Sequence, residues 1–159
     1  MKKIQLGHLE RILKSDTDFV EKIDLISDTI KALVGAELCT IFIYDHVSKS
    51  FWSAHIEGIS YIEIPDSKGI VSDVFHKKGI MIINDVQNDP RFHKEIDLST
   101  GYTTKSMLAV AILNHQKEPI GVIQLLNKTR DEKKFSHRDK LILSKLLHYI
   151  SQFSERFSG

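Results

Sequence analysis

Chemistry has few places to reside in this chain. Its eight histidines include no two at the i, i+4 spacing of a metal-binding pair, and its single cysteine, Cys39, lies inside an apolar run. One thiol forms no internal disulfide, builds no structural zinc cluster and runs no thiol–disulfide cycle. Within that run it reads as a buried, inert side chain. His93, in a polar stretch, reads as solvated or capping rather than catalytic. Two places remain. Gly69-Ile70-Val71-Ser72 opens a helix-spaced run, where free first-turn N–H groups and the helix dipole suit a phosphate or another anion. A helix whose first turn is simply packed would read the same from these residues alone. The second place, Asn84 to Met107, is dense in hydroxyls, amides and carboxylates and lies between two strand-like runs. Connections of that length in a compact domain usually cover or bind something. Phe92, Ile96, Leu98 and Tyr102 recur within it at spacings that let a short helix pack back on the domain. The expectation is a covering segment over a ligand, with no catalytic residue and no metal site.

The elements that must position these residues follow from periodicity. Leu6, Leu9, Ile12 and Leu13 make one apolar stripe of a short helix. After the capping cluster Ser15 to Asp18, a second helix carries Phe19, Val20, Ile23, Ile26, Ile30, Leu33 and Val34 and ends at Gly35. From Glu37 to Asp45 the chain alternates with both faces apolar, the mark of a central strand. Phe51 to Ile56 returns as a hairpin, and Tyr61 to Ile64 is a shorter strand stopped by Pro65. The helix opened by Gly69 is closed by Gly79, and Ile80 to Ile83 reads as a short buried strand. Met107 to Leu113 and Ile120 to Leu126 are two strong strands, with Pro119 at a strand start where its missing N–H does least harm. In the final helix Leu143, Leu146, Ile150, Phe153 and Phe157 keep heptad spacing, while Leu141, Ile142 and Leu147 lie off that stripe. Antiparallel strands with helices at both ends and in the middle give an α+β domain with one sheet.

The formal net charge of +1 offers no bulk attraction to nucleic acid or an anionic membrane. Neither a signal-peptide core nor an apolar run of membrane-spanning length is present, so a cytoplasmic protein is expected. At 159 residues the chain suits one domain: residues 1–17 as helix or linker, 18–135 as the core and 136–159 as a terminal helix.

Gly69-Ile70-Val71, Ile83-Asn84-Asp85-Val86, Asp89-Pro90-Arg91-Phe92, Thr100-Gly101-Tyr102 and Gly121 to Lys128 occur in one order and spacing. Together they resemble a GAF domain, closest to the regulatory GAF domains of cyclic-nucleotide phosphodiesterases and bacterial adenylate cyclases. The resemblance covers roughly Asp18 to Phe157. It implies a profilin-like or PAS-like sheet, a pocket roofed by the covering segment on one face, and the terminal helices on the other. It also implies a sensory module that binds a small molecule, catalyses nothing itself and signals to an attached domain, commonly as a dimer. In cyclic-nucleotide-binding relatives the enclosing residues fall, by motif alignment, at Thr40, Ile56, Glu57, Ile70, Val71, Asp97, Thr104 and Gln124. Asn127, Lys128, Phe135 and Asp139 match a structural motif of that subfamily, but Lys140 stands where its Glu is expected. The motif implies an ion pair between Lys128 and Asp139, while Ser136-His137-Arg138-Asp139 also fits a helix capping box. The resulting expectation is a domain that binds cyclic GMP, cyclic AMP or another small ligand, requires no cofactor, and forms a parallel homodimer through its terminal helices. A GAF domain whose pocket is filled by side chains, serving only to dimerise, is the alternative.

Overall fold

The computed structural model describes residues 19–55, 62–92, 94 and 101–150. The stripe at 6–13 and the covering-segment residues Ile96 and Leu98 lie outside them. The first described helix, α1 (Phe19–Val34), buries Ile23, Ile26, Ile30, Leu33 and Val34 along one face. Gly35 ends it at φ 83°, a left-handed position that costs glycine nothing, and its N–H donates to the Lys31 carbonyl at 2.9 Å.

Among the described residues six strands make one antiparallel sheet: β1 (Ala36–Asp45), β2 (Ser50–His55), β3 (Glu63–Pro65), β4 (Ile80–Ile83), β5 (Met107–Leu113) and β6 (Pro119–Lys128). Their order is β3-β2-β1-β6-β5-β4. The two longest strands, β1 and β6, are neighbours at the centre, and this is why both of their faces are apolar. At Gly121 the sheet is tight enough that a Cβ would overlap the Phe42 carbonyl oxygen.

Each face of the sheet carries its own core. On one, α1 and the last helix, α3 (His137–Ile150), close over Cys39, Ile41, Ile43, Leu108, Val110, Ile123 and Leu125. On the other, α2 (Ile70–Lys77) packs with Val86, Phe92 and Tyr102 against Phe42, Met107, Ala109, Val122 and Leu126. The face holding the covering segment is thus separated from the terminal helices by one sheet, as the resemblance implied. Among the described residues no helix is long and apolar enough to cross a membrane.

Three local expectations are corrected. β4 is an edge strand, half-buried throughout, because among the described residues only β5 pairs with it. At the end of α2 the left-handed position is taken by Lys78 (φ 54°), whose N–H reaches the Phe75 carbonyl, and Gly79 merely follows it. In α3, Leu143 and Leu146 are fully buried in the sheet core, so this part of the heptad stripe serves the domain and offers no seam to a partner. Ile142 and Leu147 pack half-buried beside them, and Leu141 is 57% exposed.

Candidate ligand-binding site

The site is built around the start of α2. Gly69, at φ 107°, precedes the helix without a side-chain cap, and the Asp73 N–H donates back to its carbonyl at 3.0 Å. First-turn amides of a helix have no intrahelical acceptor, so those of Ile70 and Val71 depend on other partners. The approach to Gly69 is fixed from two sides. Ser72 Oγ donates to the Asp66 carbonyl, and the Tyr44 hydroxyl donates to the Asp66 carboxylate. That second bond, with burial and the Asp66 charge, pushes the Tyr44 pKa up to about 12.

Beneath the first turn lies a cavity of about 40 Å³, walled by Ile70 and Val71 of α2, Phe42, Ile64, Met107, Gln124 and Leu126 of the sheet, and Phe92 and Thr104 of the covering segment. Strand alternation explains the sheet side: Phe42, Gln124, Leu126 and Met107 all point to the α2 face. Gln124 spends one amide hydrogen on the Met107 sulfur at 3.3 Å. Four of the eight residues expected to enclose a ligand, Ile70, Val71, Thr104 and Gln124, therefore meet in one place. Thr40 faces the same side, buried and opposite Gln124 in the β1–β6 register, but forms no wall of the cavity. Ile56, Glu57 and Asp97 lie outside the described residues. The walls that sequence reasoning missed, Phe42, Ile64, Met107, Phe92 and Leu126, are apolar. The strand residues among them signal only through their alternation, whereas Phe92 reads as an apolar residue of the covering segment without being assigned to the site.

The covering segment is fastened at both of its described ends. At its start, the Asn84 side-chain amide exchanges two hydrogen bonds with the Phe135 backbone, at 2.9 and 3.1 Å. Val86 N–H donates to the Lys105 carbonyl, and Gln87 Nε2 to the Thr104 carbonyl at 2.7 Å. Farther along, Arg91 forks onto Asp89 (Nε to Oδ1 2.9 Å, Nη2 to Oδ2 2.7 Å) and sends Nη1 to Asp73 of α2 at 2.6 Å. These guanidinium bonds hold the Asp73 and Asp89 carboxyls below the usual carboxylate range and push Arg91 upward. At the far end, Asn127 adopts φ 59°. Its Oδ1 accepts from the Lys105 and Ser106 N–H groups, and its Nδ2 donates to the Thr103 carbonyl and the Tyr102 hydroxyl.

The two readings of Asp139 coexist. Its Oδ1 accepts from the buried Lys128 ammonium at 2.8 Å, and its Oδ2 accepts the Ser136 N–H at 3.0 Å, the reciprocal half of a capping box. Lys128 Nζ also donates to the Val34 carbonyl and stands 5.9 Å from the centre of the buried Phe135 ring. Asp139 thereby ties β6, the end of α1 and the start of α3 into one joint.

A family model for the GAF domain matches residues 18–152. The chain belongs to the GAF domain family. Its sequence relatives include the cGMP-specific 3',5'-cyclic phosphodiesterase of Drosophila mojavensis, 39% identical over 55% of this chain and 8% of that protein. The dual 3',5'-cyclic-AMP and -GMP phosphodiesterase 11A of Takifugu rubripes is 32% identical over 89% of this chain and 18% of that protein. The chain thus spans less than a fifth of either relative. Among solved structures, the GAF domain of an Acinetobacter phosphoenolpyruvate-protein phosphotransferase superposes with a TM-score of 0.78 at 17% identity, covering 96% of this chain and 91% of its own. Free methionine-R-sulfoxide reductase from Neisseria meningitidis gives a TM-score of 0.78 at 20% identity, covering 95% and 86%. At such identities these structures establish the GAF fold and nothing about chemistry. GAF domains are in general small-molecule-binding regulatory modules, although enzymes share the fold.

Proposed function

We propose that this GAF domain is a regulatory module whose ligand is a cyclic nucleotide, cyclic GMP or cyclic AMP, taken up beneath α2, and that it is not itself an enzyme. The observation that carries the reading is the convergence of Ile70, Val71, Thr104 and Gln124, residues picked by motif alignment, on a single cavity. Their chemistry suits the ligand: apolar Ile70 and Val71 meet a purine face, Gln124 both donates and accepts along a base edge, and helix first-turn amides favour a phosphate. The phosphodiesterase relatives support the same ligand class.

The cavity volume constrains how binding proceeds. About 40 Å³ holds roughly one water, whereas ligand pockets run to about 300 Å³ or more. A nucleotide therefore enters only if the covering segment moves outward, so binding is coupled to a shift of the roof. The same small volume favours the second reading, a GAF domain filled by its own side chains that acts only in dimerisation, and Lys140 in place of the expected Glu weighs on that side too.

Thermal-shift titration and calorimetry with cyclic GMP and cyclic AMP separate the two. A ligand at a hundredfold excess over its dissociation constant stabilises by about 2.7 kcal/mol, so a clear rise in melting temperature is expected with one of them. No shift with either at millimolar concentration would sink the nucleotide reading and leave the filled interaction module.

A further inference from the structure

We propose that Arg91 is a positioning residue that keeps the Phe92 ring in the cavity wall, and that its ion pair with Asp73 is the latch whose release opens the site. Phe42, Gln124, Leu126 and Met107 are carried by strands, and Ile70 and Val71 by a helix packed on the sheet. Thr104 is held through its carbonyl by Gln87 and through its neighbours Thr103 and Lys105 by Asn127. Phe92 differs from all of these. The turn that bears it closes on itself, with Asp89 N–H on the Val86 carbonyl and Phe92 N–H on the Asp89 carbonyl.

The base of that turn is anchored in the core by Val86, which is fully buried. Its tip is joined to α2 through Arg91 and Asp73, whose side chains are 35% and 30% exposed. Arg91 is well made for this. Its fork onto Asp89 fixes the guanidinium plane, leaving Nη1 aimed at Asp73 and within 3.3 Å of the Met81 sulfur on β4. This part-buried ion pair is weakened by salt, whereas the bonds at the base, between uncharged amides and carbonyls, are not. The turn therefore swings from Val86, and the Phe92 ring leaves the cavity when Arg91 parts from Asp73.

The role in ligand access rests on the cyclic-nucleotide reading, and the latch does not. Hydrogen exchange of the Phe92 and Asp89 amides is measured at low and at molar salt in the parent, Asp73→Asn, Arg91→Gln and, as control, Lys77→Gln. The control removes the other cation beside Asp73, 3.3 Å away on the same helix, without touching the turn. At low salt, exchange rises about two- to fivefold in Asp73→Asn and Arg91→Gln, the parent reaches the same rate at molar salt, and the two variants lose their salt dependence. Lys77→Gln behaves as the parent. The Asn127 amide, bonded to the Ser106 carbonyl in the sheet, stays protected throughout. Parent-like exchange at Phe92 in Asp73→Asn, or acceleration shared equally with the Asn127 amide, overturns the latch. In stopped-flow mixing with fluorescent analogues of cyclic GMP and cyclic AMP, Asp73→Asn associates faster than the parent. A parent that binds neither analogue overturns the access role alone, because the exchange measurement still decides the latch.

Discussion

Asp139 shows what single residues disclosed in advance and what they did not. The sequence offered Lys128 and Ser136 as two partners for it, and both are met because a carboxylate has two oxygens, one for each. Residue types and spacing identify a group able to pair, but cannot say how its lone pairs are divided. Removing that carboxylate should be expensive. Lys128 is 1% exposed, and its other acidic neighbour, Asp131, stands 3.6 Å away and is itself 74% exposed. Asp139→Asn leaves a buried ammonium with little counter-charge, a change that costs about 3–5 kcal/mol when a buried pair is broken. Urea denaturation is expected to give a loss in that range, and Lys128→Met combined with Asp139→Asn should lose less than the two single changes added. A loss below about 1 kcal/mol in Asp139→Asn would mean that water or Asp131 already neutralises Lys128. The candidate site was half legible at this scale. Motif spacing located Ile70, Val71, Thr104 and Gln124, whereas Arg91 and Asn84 act through partners 18 and 51 residues away, pairings that local pattern does not reveal.

At the scale of elements, strand and helix periods were strong enough to place the central strands, the hairpin, the glycine end of α1 and the helix at Gly69. What failed was context. β4 has the composition of a buried strand but sits at the sheet edge, a position fixed by topology rather than by its own residues. Lys78 took the left-handed cap beside an available glycine, against local preference. Gly121 shows the opposite case, a residue whose smallness is demanded by its neighbours. It pairs with Ile43 across β1–β6 and with Ile112 across β5–β6, and a methyl group there would meet the Phe42 backbone, which cannot rotate away. Gly121→Ala is therefore expected to spread the two central strands and destabilise the domain by about 1–3 kcal/mol, the usual cost of overpacking. Because Phe42 also walls the cavity, the same change should alter the site. Chemical denaturation beside the parent checks the first part, and equal midpoints would mean that the sheet absorbs the methyl group without strain.

For the whole molecule, the open question is what the helical face does. Over two heptads a 3.6-residue stripe drifts only about 40° from a 3.5-residue one, so the sequence could not tell a partner seam from a core face. Leu143 and Leu146 belong to the core, and the side chains of Ile150, Phe153 and Phe157 lie beyond the described ones. Among the described residues this side carries an apolar groove of about 670 Å³ between Leu33, Leu141 and Ile142, bordered by Arg138, Lys145 and His148, and a second of about 340 Å³ lined by Ile80, Val110 and Leu147. Among the described residues, the homodimer proposed through the terminal helices is placed on Leu141, because the described part of the heptad stripe is core. The Asn84 side chain bonds the Phe135 backbone just before α3, so a shift of the covering segment on binding the proposed ligand would pass to the start of that helix. Leu141→Glu replaces an exposed leucine, so the isolated fold should be unharmed, while a charge buried without a partner at an interface is costly enough to separate protomers. Sedimentation velocity at high micromolar concentration should give a dimer for the parent and a monomer of unchanged helix content for Leu141→Glu. A monomeric parent would end the dimer proposal and leave α1 and α3 covering only their own sheet. A variant that stays dimeric would move the interface off this groove.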